Sequence, residues 1–302
     1  MSKGNSNKFR FAPSPNGPLH LGHAYSALKT SELAKQLGGE FCLRIEDIDK
    51  SRSQETYIEA IYRDLKWLGL KWPEPVRRQS DHFADYRSPI EKLRRRGLLY
   101  PCFASRKDIE KAYQEKRVKP RDPDGALLYP GLYKDAEPEK ISILMENNTP
   151  HALRLDMEKA AKMAQEMAPN SFSYQSFAMD GASKVHKITP ERWGDVIIVR
   201  KDIPTSYHLS VVFDDYLEKI THITRGLDLE ASTDVHRVLQ IILKLPEPLY
   251  HHHELVTTNE GEKLSKSKQH RSLHDLRCNG LDARKIREIA KNGAKELSNL
   301  LF

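Results

Sequence analysis

The opening of the chain alternates two hydrophobic periods, and that alternation limits what it can fold into. Lys8-Phe-Arg-Phe-Ala12 has the composition of a short strand, and the loop Pro13-Ser-Pro-Asn-Gly-Pro18 breaks it. Helical spacing follows, with apolar residues at Ala24, Ala27, Leu28, Ala34 and Leu37, and Gly38-Gly39 stops it. Glu40-Phe-Cys-Leu-Arg-Ile45 is a second strand running into the acidic Glu46-Asp-Ile-Asp49, after which Ile58, Ile61, Tyr62, Leu65 and Leu68 mark an amphipathic helix. Strand, helix, strand, helix is the order of a parallel sheet, because a parallel neighbour is reached only through a crossover. The predicted class is α/β.

Residues 105–190 break the pattern, being rich in lysine, proline and acidic residues, as in Lys119-Pro-Arg-Asp-Pro-Asp-Gly125. They read as an inserted α+β subdomain. The strong apolar pattern resumes with Asp195-Val-Ile-Ile-Val199 and Leu209-Ser-Val-Val-Phe213, taken as the return of the sheet, and then a helix carrying Val235, Val238, Leu239 and Ile242. The predicted division is 8–104 for the first half of the core, 105–190 for the insert, 191–250 for the second half, and 251–302 for a loop and short helices.

At 302 residues and 38% hydrophobic content, the chain can bury a sizeable core. No stretch approaches the roughly 20 apolar residues that span a bilayer, and MSKGNSNKFR lacks a signal-peptide core, so the expected location is cytoplasmic, with no membrane partner. Cys42, Cys102 and Cys278 offer neither a disulfide framework nor a zinc-finger spacing. A net charge of +7 suits a polyanionic partner, although the basic runs are interleaved with acids and also suit solvated helix faces.

Two segments suit phosphate chemistry, although a lone His-x-Gly-His also suits ordinary surface histidines near a helix start. His20 and His23 flank Gly22 at the first strand-to-helix turn, where a helix N-terminus offers free N–H groups and a positive dipole end. Imidazole can donate to a phosphate without a fixed charge, and glycine allows close approach of a ligand. Downstream, Gly261-Glu-Lys-Leu-Ser-Lys-Ser-Lys268 places lysines beside small hydroxyls, a cationic clamp for a triphosphate or, taken alone, an ordinary basic loop.

Arg10-Phe-Ala-Pro-Ser-Pro-Asn-Gly-Pro-Leu-His-Leu-Gly-His23, Leu43-Arg-Ile-Glu-Asp-Ile-Asp49, Tyr207-His-Leu-Ser-Val-Val-Phe-Asp-Asp215, Thr224-Arg-Gly-Leu-Asp-Leu229 and Lys263-Leu-Ser-Lys-Ser267 resemble the catalytic core of glutamyl-tRNA synthetases, a class I aminoacyl-tRNA synthetase family. The resemblance implies a Rossmann-type parallel sheet split by the insert, and ATP-dependent activation of L-glutamate to an adenylate. It implies a glutamate pocket of Arg10, Ala12, Ser14, Glu46, Tyr207 and Arg225, in which guanidinium meets carboxylate through charge-assisted hydrogen bonds. ATP would be held by His20, Gly22, His23, Lys263, Ser265, Lys266 and Ser267, with His20, His23 and Lys266 catalytic and Mg2+ arriving with the nucleotide. Asp47 and Asp49 are expected to support neighbouring groups and not to bind metal.

The chain ends soon after the lysine loop, without the anticodon-binding portion of tRNA-charging enzymes, and Leu229 stands where those enzymes usually carry histidine. Both features resemble a paralogous branch that attaches glutamate to the queuosine base in the anticodon of tRNA(Asp), so queuosine-bearing tRNA(Asp) is the expected partner, met by a monomer. The alternatives are a shortened enzyme charging the tRNA 3′ end, a small-molecule nucleotidylyltransferase and a non-catalytic tRNA-binding paralogue. Many family members hold zinc through Cys-x-Cys and Tyr-x-x-x-Cys; here these read Cys102-Phe-Ala104 and Tyr129-Pro-Gly-Leu-Tyr133, so no zinc is expected. His251-His-His253 reads as a strand, whose alternate faces cannot converge on one ion.

Overall fold

The computed structural model describes residues 7–178, 180–258, 264 and 271–301. Its first elements follow the expected order: β1 (Lys8–Phe11), α1 (Leu21–Gln36), β2 (Glu40–Ile45) and α2 (Glu55–Trp67). Phe9 and Phe11 of β1 are buried, and α1 turns Leu21, Ala24, Ala27, Leu33 and Ala34 into the same core. Gly38, at φ +62°, ends this crossover in a conformation that a side chain rarely adopts. β3 (Arg77–Arg78) and α3 (Arg87–Arg95) lead to β4 (Leu99–Cys102) and α4 (Arg106–Ala112). Then come α5 (Pro138–Glu146), β5 (Ala152–Leu155), α6 (Met157–Met167), β6 (Ser173–Phe177), β7 (Ser183–Lys187) and β8 (Ile197–Val199). The chain returns through α7 (Tyr207–Leu217), β9 (His222–Gly226), α8 (Thr233–Leu243) and β10 (Leu249–His253). Three short helices, α9 (Leu273–Cys278), α10 (Ala283–Lys291) and α11 (Ala294–Ser298), place Leu273, Leu276, Ile286 and Leu297 in the core beside α1.

Among the described residues, seven strands form one sheet in the order β3-β2-β1-β9-β10-β6-β7, parallel throughout except for the antiparallel β6–β7 pair at its edge. β4, β5 and β8 form a separate antiparallel sheet.

One expectation is corrected. Leu209–Phe213 is not a strand but the middle of α7, whose residues 209–215 are all buried. A helix covered on every side shows no polar stripe, so its apolar run cannot be told from a strand by periodicity. Strand pairing links residues on both sides of positions 105 and 190. β6 and β7, inside the predicted insert, extend the central sheet, while β4 and β8, outside it, pair with β5. β7 is largely exposed and lysine-bearing, as an edge strand can be, and this polar composition resembled a loop.

Candidate active site

A cavity of about 520 Å³ opens beyond the carboxyl ends of β1, β2 and β9, where an open parallel sheet receives its ligand. Arg10, Ala12, Ser14, His20, Gly22, His23, Glu46, Tyr207 and Arg225 all line it, so nine residues singled out from the sequence converge on one cavity. Leu264 lines it as well and is buried. Lys263, Ser265, Lys266 and Ser267 lie outside the described residues.

One side of the cavity is a charge network. Arg10 donates from Nε to Asp215 Oδ1 at 3.1 Å and from Nη2 to Oδ2 at 3.2 Å, a two-pronged pair. Arg44, wholly buried, donates from Nη1 to Asp215 at 2.7 Å and Glu218 at 2.8 Å, and from Nη2 to Glu46 at 3.2 Å. Burial pushes the Asp215 carboxyl up, but Arg10 and Arg44 outweigh it and hold the group below the ordinary carboxylate range. Burial wins at Glu46, whose carboxyl is raised despite Arg44 and Arg10. Two guanidinium groups thus face three carboxylates, Asp215, Glu218 and Glu46. The formal excess is negative, and Glu46 is the carboxylate of the three that lines the cavity. An ammonium group suits that edge.

The opposite side is built differently. Arg225, at the carboxyl end of β9 and buried, donates from Nη2 to Thr233 Oγ1 at 2.7 Å and from Nε to His252 Nε2 at 3.2 Å, and its Nη1 lies 3.2 Å from His236 Nδ1. The guanidinium also sits over the Tyr250 ring, 5.4 Å from its centroid. Burial and the adjacent Arg225 push His252 down to about 2 and His236 well below its ordinary value, so both rings are neutral. Among the described residues no carboxylate pairs with Arg225. A buried cation bordered by neutral acceptors at a cavity wall is arranged for an anion.

At the start of α1, Gly22 N–H donates to His20 Nδ1 at 3.1 Å and His20 N–H donates to His23 Nδ1 at 3.1 Å. Both Nδ1 atoms accept, which places the protons of the neutral rings on Nε2. The rings lie 3.8 Å apart between centroids. A Cβ on Gly22 would come within 3.0–3.1 Å of the His20 ring, so the glycine leaves room for the histidine itself. Thr224 and His253 also line the cavity, and among the described residues their buried Oγ1 and Nε2 atoms have no hydrogen-bond partner.

Asp47 accepts from Ser80 N at 2.8 Å and Oγ at 2.7 Å, and Asp49 accepts from Ser51 and Arg52; both hold loops together. Cys102 does not fit a zinc ion. Its Sγ accepts from Arg154 Nε at 3.3 Å, the Arg154 guanidinium lies 3.9 Å from the Tyr129 ring centroid, and Tyr133 N–H donates to Tyr129 at 2.7 Å. One thiol and two phenols are a poor zinc donor set. Among the described residues no group of three or more His, Cys, Asp and Glu is disposed to hold a metal, and no helix is long and apolar enough to cross a membrane.

Sequence reasoning missed Arg44, Asp215, Thr233, His236 and His252. The signals present were an arginine inside a buried strand, two aspartates closing an apolar run, and the alternation of His251-His-His253, which puts His252 on the face of Tyr250.

A parallel sheet with a charged cleft at its carboxyl ends and paired histidines at the first crossover helix defines a class I catalytic fold of the Rossmann type. Residues 7–291 match the family "tRNA synthetases class I (E and Q), catalytic domain", and the chain belongs to that family, whose members are ligase-type enzymes. The glutamyl-Q tRNA(Asp) synthetase of Rhodobacter capsulatus is 42% identical over 93% of this chain and 98% of its own length. The glutamate–tRNA ligases of Prochlorococcus marinus and Aquifex aeolicus are 32% and 35% identical, and the chain spans only 56% and 51% of their lengths. A crystal structure of the glutamate–tRNA ligase of Elizabethkingia meningosepticum in complex with its amino acid superposes with a TM-score of 0.67 at 27% identity, covering 92% of this chain and 54% of that one.

Proposed function

We propose that this enzyme activates L-glutamate with ATP and transfers the glutamyl group to the queuosine base in the anticodon of tRNA(Asp). The observation that carries the glutamate reading is Arg225, a buried cavity-lining cation whose described partners are all neutral. It receives the substrate's side-chain carboxylate, while Glu46, in the network with carboxylate excess, receives the ammonium, and Tyr207 adds a hydroxyl. Arg10 completes the wall and Ser14 with the backbone at Ala12 borders it. Glutamine would leave the guanidinium without its anion, and a site built for charged partners discriminates strongly against an analogue lacking them.

The α-carboxylate then attacks the α-phosphate of ATP, and pyrophosphate leaves. His20 and His23 at the α1 N-terminus, with Lys266, neutralise the charge that spreads over the phosphate oxygens, and Gly22, Lys263, Ser265 and Ser267 complete the nucleotide site. Magnesium enters with ATP. In the second step a hydroxyl of the queuosine ring attacks the adenylate carbonyl and AMP leaves. The support for tRNA(Asp) over 3′-end charging is the Rhodobacter relative, matched over nearly its whole length at higher identity than the glutamate–tRNA ligases. The enzyme then works in the cytoplasm, as a monomer.

The test measures glutamate-dependent ATP–pyrophosphate exchange without tRNA, followed by transfer of labelled glutamate to tRNA(Asp) with and without queuosine. Exchange and queuosine-dependent transfer are expected. Labelling of the 3′ end of tRNA instead would replace the transfer half of the reading, and absence of exchange would remove all of it.

A further inference from the structure

Arg225 sits where four elements meet. β9 supplies the arginine, α8 supplies Thr233 and His236 three residues apart on one helical face, and β10 supplies His252 beside the Tyr250 ring. From α7, His208 approaches behind His236, with 3.4 Å between His208 Nδ1 and His236 Nε2. Because His236 Nδ1 faces an N–H of Arg225, the ring must accept there, and its proton lies on Nε2, directed to His208. The Thr233 hydroxyl accepts from Arg225 and lies 3.3 Å from His252 Nε2, so it can pass its own proton on to that acceptor. Each contact fixes the guanidinium plane, and none neutralises it. Arg10 shows the contrasting solution in the same cavity, since its bidentate partner Asp215 is a carboxylate.

We propose that His236 and His252 are positioning residues that set the specificity of this pocket: as neutral acceptors they hold Arg225 in place while leaving its charge uncompensated for the carboxylate of an acidic substrate. This rests on the glutamate reading above. A carboxylate in either position would hold the guanidinium equally well and remove the reason for the pocket to prefer an acid over its amide. Burial, with Arg225 beside them, holds both rings below the ordinary imidazole range, which agrees with their place as acceptors from the guanidinium.

His236→Asn and His236→Asp separate the two roles, because the side chains share a shape and an acceptor oxygen and differ only in charge. Both are purified, their melting temperatures are compared with the parent protein, and KM and kcat are measured for L-glutamate and L-glutamine in pyrophosphate exchange. His236→Asn is expected to keep a glutamate KM within about threefold of the parent. His236→Asp is expected to raise it about a hundredfold with a smaller change in kcat, and to lower the glutamate-over-glutamine ratio of kcat/KM by at least about tenfold. Equal glutamate KM in the two variants of an active parent overturns the proposal and leaves the glutamate reading standing. A parent protein with no glutamate-dependent exchange overturns both. If position 236 does not tolerate either change, His252→Gln and His252→Glu make the same comparison from the Nε side of the guanidinium, with the same two outcomes.

Discussion

Arg10 and Arg225 border one cavity, come from adjacent strands and are both almost wholly buried, yet they are accommodated in opposite ways. Arg10 is locked to Asp215, which also takes a hydrogen bond from Arg44. Its charge is compensated, and with Asp215 beside it the guanidinium is held above its ordinary value although burial works against it. Arg225 has Thr233, His236 and His252, none of which carries a charge at neutral pH. The first arrangement belongs to the architecture, because it ties β1 and β2 to α7. The second holds the guanidinium without neutralising it. A buried charge without its counterion costs several kcal/mol, and a fold retains one where something else meets the cost.

The contrast breaks most visibly under Arg225→Met, which keeps much of the side-chain volume and removes the charge. Glutamate-dependent exchange is expected to fall at least about a thousandfold, roughly 4 kcal/mol of lost transition-state stabilisation. Stability is expected to stay within about 1 kcal/mol of the parent, since losing three hydrogen bonds is offset by no longer burying an uncompensated cation. Exchange kinetics and urea unfolding on the same preparation check both halves. A large loss of stability would mean that Arg225 is held for structural reasons after all.

Asp215→Asn probes the other side. It leaves Arg10 and Arg44 buried with one carboxylate fewer, and breaking a buried pair by removing one partner typically destabilises strongly, here by about 3 kcal/mol in urea unfolding. Glu218 and Glu46 still reach Arg44, so Arg10 bears most of the effect. A change below about 1 kcal/mol would place Arg10 in the same class as Arg225 and dissolve the distinction.

The sequence made one member of each pairing legible and hid the other. Arg10, Glu46, Tyr207 and Arg225 stand out because they fall in motifs that resemble the catalytic core of glutamyl-tRNA synthetases. Asp215 closes an apolar run that looked like a strand. As a helix, α7 brings Asp215 under β1 and His208 behind α8, placements that depend on a period the buried run did not display. His252 was set aside with its neighbours as an unsuitable metal cluster; what mattered was which single ring of the three faced Arg225, and that required the register pairing His252 with Arg225 across β9 and β10. β7 is hard to read because a polar edge strand shares its composition with a loop.

Acid titration separates the two sites by a smaller effect with opposite origins. His208, His236 and His252 are all lowered from the ordinary imidazole range, to about 4 and about 2 for the first and last, chiefly by burial with Arg225 adding to it. Below pH ~6.5 the unfolded chain takes up protons at these rings that the folded chain refuses, so stability falls on acidification by about 1.4 kcal/mol per pH unit for each ring. Asp215 works in a lower window. Its carboxyl is depressed in the fold, so its contribution is complete above the ordinary carboxylate value near pH ~4 and is lost only as pH falls through its lowered one. Glu46 and Glu218, both raised by burial, oppose the histidines over part of the range, because their protonation on acidification relieves a buried charge. The histidine share is therefore isolated by difference. Urea unfolding of the parent and of His252→Gln at pH 6.5, 5.5 and 4.5 should give a shallower dependence in the variant, by up to ~1.4 kcal/mol per unit. Parallel curves would mean that His252 takes up a proton in the folded chain as readily as in the unfolded one, and a cationic ring there could not accept from the guanidinium.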